Sequence, residues 1–200
     1  MTRLYFIRHG ETDWNREGRL QGHTDTPLNA KGRRQAAAVG GHLKELVASS
    51  GRGVALNELP FFASPLLRTR QTIEILREAA GLPPEAYQRE DRLKEIAFGA
   101  WEGRTWSEVR SRDPIRAKDR DRDRWTFVPP GGESYALVLE RVQPWFETIR
   151  QDTCMVAHGG IARVMMVLCG GMTPAEAVEA DIWQGRILVF EEGTMRWLPE

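Results

Sequence analysis

Apolar residues fall along this chain in two rhythms. Short unbroken runs at 4–7, 59–63 and 153–157 are bounded by polar or turn-forming positions, the pattern of short buried strands. Between them, apolar residues recur at helical spacing. Ala36, Val39, Leu43, Leu46 and Val47 predict a helix over 31–47, which Asn29 can cap. Leu67, Ile73, Leu76 and Ala80 predict a second, started by Ser64-Pro65 as a capping hydroxyl followed by proline in the first helical position. Leu139, Val142, Phe146 and Ile149 predict a third, in which Pro144 imposes a kink or an irregular turn. A further helix is expected over 161–169. Residues 186–190 and 194–198 read as a closing hairpin with Gly193 in its turn.

Two stretches break the pattern. Residues 11–30 have no clear period, but Trp14, Leu20 and Leu28 anchor them, so an ordered active-site loop is expected rather than disorder. Residues 104–124 carry charges of alternating sign and are expected to be a solvated helix or loop. A nucleic-acid surface would need one sign. His42 falls on the first helix, where an ordinary surface position is expected.

Composition narrows the class. The chain has 200 residues, 41% hydrophobic and 28% charged, which suits one domain spanning 1–200. Lys+Arg and Asp+Glu are equal at 28 each, so no overall basic field points to nucleic acid or to a membrane surface. No apolar run is long enough to span a bilayer. Cys154 and Cys169 have no metal or redox spacing and are expected as buried thiols in a reducing compartment. The first strand begins close to Met1, leaving no room for a signal peptide, so a cytoplasmic location is expected.

The chemistry sits where the strands stop. The first run ends in Arg8-His9-Gly10, with Gly10 expected to let the backbone turn so that both side chains face one pocket. A neutral imidazole is a nucleophile, and a guanidinium fork beside it suits phosphate oxygens. The 153–157 strand ends in His158-Gly159-Gly160, a second histidine just before a helix. Arg68 falls in the first turn of its helix, where a cation is unfavourable unless an anion sits nearby. Glu95 lies in an apolar, glycine-containing stretch, and a carboxyl group in such surroundings is expected to hold a proton at neutral pH. The four histidines show no metal-ligand spacing.

These residues sit within longer motifs. They are Arg-His-Gly-Glu-Thr-x-Trp-Asn at 8–15, Gln-Gly-x-x-Asp-x-Pro-Leu at 21–28 and Ser-Pro-Leu-x-Arg-Thr-x-Gln-Thr at 64–72. Leu-x-Glu-x-x-x-Gly-x-Trp-Glu-Gly at 93–103, Pro-Gly-Gly-Glu-Ser at 130–134 and His-Gly-Gly at 158–160 follow. In this order they resemble the histidine phosphatase superfamily, which includes the cofactor-dependent phosphoglycerate mutases. The resemblance implies a three-layer α/β/α sandwich with a mostly parallel sheet. It implies His9 as a nucleophile that becomes phosphohistidine, and Arg8, Arg68 and His158 as holders of the phosphoryl oxygens. Glu95 matches the proton donor. Asn15 and Gly159 would join the substrate pocket, and Gln21 and Gly22 would line its entrance. No metal or other cofactor is implied, and a protonated His158 is expected among the stabilising cations.

Members of the superfamily differ in what accepts the phosphoryl group. Mutases carry a longer insertion with an adjacent Arg-Arg pair. Here the insertion, at about 104–130, is short and has no such pair, since Arg33-Arg34 lies on the first helix. The resemblance is therefore to the small phosphatase branch, with α-ribazole phosphatases and broad-specificity phosphatases, and the expected reaction is metal-independent hydrolysis of a small phosphate ester. Mutase activity is the alternative. A non-catalytic interaction module would need a damaged centre, and none of the five key residues is missing. Trp183 or Trp197 is the expected contact should the chain form a homodimer.

Overall fold

The structure, a computed structural model, describes residues 2–199. A six-stranded sheet runs through its middle in the order β3-β2-β4-β1-β5-β6. The strands are β1 (Leu4–Arg8), β2 (Phe61–Ala63), β3 (Gln88–Arg89), β4 (Thr153–Ala157), β5 (Ile187–Glu191) and β6 (Thr194–Leu198). The pairs β1–β4, β2–β4 and β2–β3 are parallel, while β5 is antiparallel to both β1 and β6. The helices are α1 (Asp13–Arg16), α2 (Ala30–Ala48), α3 (Leu67–Ala79), α4 (Trp106–Arg112), α5 (Pro114–Arg122), α6 (Tyr135–Phe146), α7 (Gly159–Cys169) and α8 (Pro174–Glu179).

The unbroken apolar runs are explained by burial on both faces. Leu4 and Phe6 of β1 join Met155 and Ala157 of β4 in a core against α6, α7 and α8. Tyr5 and Ile7 point the other way, joining Cys154 and Val156 against α2 and α3. Each large apolar side chain buried in this way is worth about 1.5–3 kcal/mol. A smaller cluster, Leu20, Trp101, Val109 and Ala117, fixes α4 and α5 and the loop at Leu20 to one another. Among the described residues no helix is long and apolar enough to cross a membrane.

Asn29 caps α2, its side-chain oxygen accepting from Gly32 N at 2.9 Å. Ser64-Pro65 does not start α3. The helix begins at Leu67 without a side-chain cap, because Ser64 still continues the end of β2 and donates its amide to Val156 O at 3.1 Å. Pro144 lies inside α6, and the helix ends at Phe146. The hairpin turns at Glu192-Gly193, both with positive φ, the two-residue turn that matches strand twist. Cys154 is buried and Cys169 half-buried, and both thiols are free.

Gly10 is needed for a different reason from the one its sequence suggests. Its φ is not in the left-handed region, but a Cβ there would lie 2.3 Å from Gly32 O. The residue lets the end of β1 press directly on the first turn of α2.

Candidate active site

The parallel register of the sheet assembles the site. Arg8 is opposite Ala157 and Ala63 is opposite Val156, so β1, β4 and β2 end level with one another. The residues that follow are His9, His158 and Ser64. The amide of His9 donates to Ala157 O at 3.0 Å. The two imidazole rings stand 5.3 Å apart, tilted by 60°. His9 is 2% exposed and His158 fully buried.

Arg68 enters from the start of α3. It is fully buried, donating to Thr24 O at 2.9 Å and Gly22 O at 2.7 Å, while its Nε has no protein partner. Arg8 donates to Ile182 O at 2.8 Å and also keeps an unpartnered Nε. Two buried guanidinium N–H groups without an acceptor are a costly arrangement that an anion would relieve. Burial lowers the pKa of Arg68 to about 10, so it remains a cation at neutral pH.

Glu95 follows a short 3-10 turn over Asp91–Leu93 that the buried Leu93 anchors. Its Oε1 accepts from Ile96 N at 3.0 Å and Gly160 N at 2.9 Å. The carboxyl group therefore has backbone donors, not only the apolar neighbours suggested by its sequence context. A Cβ at Gly160 would lie 2.5 Å from Glu95 Oε1, so only glycine lets α7 approach this carboxyl group.

Arg8, His9, Arg68 and Glu95 line one cavity of about 380 Å³, together with Asn15, Gln21, Gly22 and Gly159. His158 sits behind His9. The loop is held by its own polar side chains. Asn15 closes a capping box with Thr12 on α1, and Gln21 Oε1 accepts from the hydroxyls of Thr12 and Thr26. The Glu102 carboxylate receives the amides of His23 at 3.0 Å and Thr24 at 3.1 Å. A larger cavity, about 530 Å³, borders Thr2 and Leu4 near the opposite end of β1 and contains neither histidine. Among the described residues no group of His, Cys, Asp or Glu is gathered as metal ligands would be.

Several contributors escaped the sequence reading. Thr72 accepts from Gly10 N at 3.0 Å, and Gln184 donates to His9 O and Asn15 Oδ1, both at 3.1 Å. Ser64 Oγ lies 2.8 Å from His158 Nε2. Arg120 and Arg124, from the charged stretch expected to be solvated, line the cavity.

His9 Nδ1 is 2.8 Å from Gly10 O. A carbonyl only accepts, so Nδ1 carries the proton and the Nε2 lone pair is available. Burial first, then the Arg68 and Arg8 charges, push the His9 pKa well below its ordinary value. The same burial, with Arg68 and then His9, pushes His158 down as well. The protonated His158 expected from sequence is thus replaced by a neutral imidazole. Its Nε2 is hydrogen-bonded to Ser64 Oγ at 2.8 Å, and its Nδ1 has no protein partner among the described residues.

These two depressed pKa values have a consequence for stability. In the unfolded chain both imidazoles take up protons near pH 6.5, whereas the folded state resists doing so. Stability is therefore complete above about pH 6.5 and falls as pH drops below it, by up to about 1.4 kcal/mol per pH unit for each ring. Urea denaturation between pH 7 and 5 should show this loss, and replacing both histidines by Asn should flatten the slope. An unchanged slope in that variant would contradict the assignment.

The comparisons with known proteins agree with this geometry. The sequence pattern of a family described as the Histidine phosphatase superfamily (branch 1) matches residues 4–198. A glucosyl-3-phosphoglycerate phosphatase of Mycolicibacterium vanbaalenii is 35% identical over 86% of this chain and 71% of its own length. A 2,3-bisphosphoglycerate-dependent phosphoglycerate mutase of Beijerinckia indica is 28% identical over 94% of this chain and 90% of its own. Among solved structures, an Escherichia coli K-12 protein described as a candidate alpha-ribazole-5'-P phosphatase superposes with a TM-score of 0.77. It has 25% identity, over 98% of this chain and 94% of that one.

Proposed function

Because the chain belongs to the histidine phosphatase superfamily, branch 1, we propose that it is a phosphomonoesterase that hydrolyses a small phosphate ester through a phosphohistidine at His9. The observation that carries this reading is the state of His9: a neutral ring with its proton on Nδ1, held by Gly10 O between two arginines.

The Nε2 lone pair of His9 attacks phosphorus, and the bond from phosphorus to the ester oxygen breaks. Glu95 gives its proton from Oε2 to the departing alkoxide, while Oε1 stays fixed by the amides of Ile96 and Gly160. Arg8 and Arg68 bind the phosphoryl oxygens through donors already oriented in the protein, and His158 stands beside His9 as a neutral imidazole. Water then attacks phosphohistidine, Glu95 takes its proton, and inorganic phosphate leaves with His9 restored. Asn15, Gln21, Gly22 and Gly159 shape the substrate cavity. No step needs a metal, so activity is expected to survive EDTA.

Arg120 and Arg124 in the cavity favour a second reading, phosphoglycerate mutase, because they supply cations that the charged stretch was not expected to offer. Hydrolysis remains the better supported reading. The 104–130 segment forms two short helices, and a mutase must keep water from phosphohistidine. The test measures phosphate release from a panel of phosphomonoesters alongside conversion of 3-phosphoglycerate to 2-phosphoglycerate with a bisphosphoglycerate primer. Phosphate release without primer is expected to be the faster. Primed conversion that outran release from every ester would make the enzyme a mutase.

A further inference from the structure

Of the sequence motifs, Pro130-Gly-Gly-Glu-Ser134 sends no residue to the cavity. It lies instead against the backbone that carries Glu95. Residues 94–98 form neither helix nor strand, so no regular ladder of hydrogen bonds fixes the carboxyl group there. A proton donor must nevertheless be held to within about 0.5 Å of its working position.

Glu133 N donates to Ala97 O at 2.8 Å, and Ala97 N donates to Glu133 Oε2 at 3.0 Å. A Cβ at Gly132 would lie 2.4 Å from Ala97 O, so only glycine allows this approach. Ser134 then starts α6 by accepting from Leu137 N at 3.2 Å. About two turns further on, Arg141 points back at the same segment. Its Nε donates to Glu133 Oε1 at 2.8 Å, and its Nη2 to Glu133 Oε2 at 3.1 Å. Its Nη1 donates to Arg92 O, and its Nη2 also to Lys94 O at 2.8 Å and Glu95 O at 3.1 Å. His23 Nε2 donates to Glu95 O as well, at 2.8 Å, which fills both lone pairs of that carbonyl.

Glu133 and Arg141 side chains are each 22% exposed, where an isolated ion pair adds little to stability. This pair is not isolated, because every nitrogen of the guanidinium is directed at Glu133 or at the carbonyls of 92–95. Burial alone would raise the Glu133 pKa, but the bond from Arg141, then the Ala97 amide, hold it below the usual carboxylate range. The pair is therefore charged at neutral pH.

We propose that Glu133 and Arg141 are positioning residues, a clamp that acts through Glu95 and sets where its carboxyl group stands against the leaving group. The inference rests on the reading of Glu95 as the proton donor.

Single-turnover cleavage reads the clamp through chemistry. With an alkyl phosphate, Arg141→Ala and Glu133→Ala should each slow phosphorylation by about 10- to 100-fold, the scale of a misplaced catalytic group. With an aryl phosphate, whose phenolate needs no proton, the loss should stay within about threefold. Glu133→Gln keeps an acceptor for Ala97 N and should lose less than Glu133→Ala. Adding Arg141→Ala to Glu95→Gln should change the alkyl rate by no more than about twofold, because a residue that acts through Glu95 then has nothing to act on. General damage to the fold slows both esters and adds to the Glu95→Gln loss. Equal losses for the two esters, or full additivity with Glu95→Gln, would overturn the proposal.

Amide hydrogen exchange reads the same clamp without turnover. The amides of Ile96 and Gly160 are bonded to Glu95 Oε1. In Arg141→Ala both should exchange at least about tenfold faster, while the amides of β1 keep their protection. Unchanged exchange at both, or an equal gain across β1, would overturn the proposal. Faster exchange at both, in a protein that releases phosphate from no ester, would refute the phosphatase reading and leave the clamp standing.

Discussion

His9→Ala is expected to release phosphate at no rate above background from any ester that the unaltered protein cleaves. The fall should be on the order of 10⁵–10⁶, the scale seen when a covalent nucleophile is removed. The expectation rests on position and protonation. His9 is 2% exposed, its Nδ1 proton is committed to Gly10 O, and no second imidazole can replace it. His158, at 5.3 Å, has its Nε2 engaged by Ser64. Rapid quenching with phosphorus-labelled substrate should trap one acid-labile phosphoryl group per chain in the unaltered protein and none in the variant. Phosphohistidine in His9→Ala would move the nucleophile elsewhere, with His158 the first place to look.

The second large effect is expected at Glu95. Glu95→Gln keeps the contacts to Ile96 N and Gly160 N through its amide oxygen but has no proton to lend to a leaving alkoxide. Single-turnover cleavage of an alkyl phosphate should slow by about 10²–10⁴, the usual range for acid–base assistance. An aryl phosphate, whose phenolate departs without a proton, should lose much less in the phosphorylation step. Equal losses for both esters would reduce Glu95 to a brace for the start of α7.

What could be read from the sequence followed from how locally each feature is determined. The runs that became β1 and β4 carry their signal in four or five consecutive residues. Asn29 caps α2 through Gly32 N, three residues along the chain. Ser64 carries the same kind of local signal and behaves differently, because His158 and the amide acceptor at Val156 compete for it. Tertiary partners outweighed a cap worth about 1 kcal/mol. The capping box of α8, Thr173 with Glu176, is equally local. β3 was not visible at all, since its two residues, Gln88 and Arg89, are exposed and carry no pattern.

The site divides in the same way. The family motifs pointed to Arg8, His9, Arg68, Glu95, Asn15, Gln21, Gly22 and Gly159, which line one cavity, and to His158 behind it. The protonation of His158 was misjudged because desolvation depends on what surrounds the ring, not on its neighbours in sequence. Arg120 looked like one charge among many in an alternating run. Only the packing of α4 beside α5 puts Trp106 under its guanidinium.

The pairing of β1 also bears on how the chain comes to be folded at all. Leu4 is bonded across to Thr153 on one side and to Phe190 on the other, so the first strand made lies between two of the last. At ~5–20 residues per second, a ribosome needs roughly 7–40 s to deliver those partners after the strand itself has emerged. Throughout that interval Leu4, Tyr5, Phe6 and Ile7 present two unpaired edges, a hazard for association with other nascent chains. The wait also delays the candidate site, because His9 and His158 come level only when β4 docks beside β1.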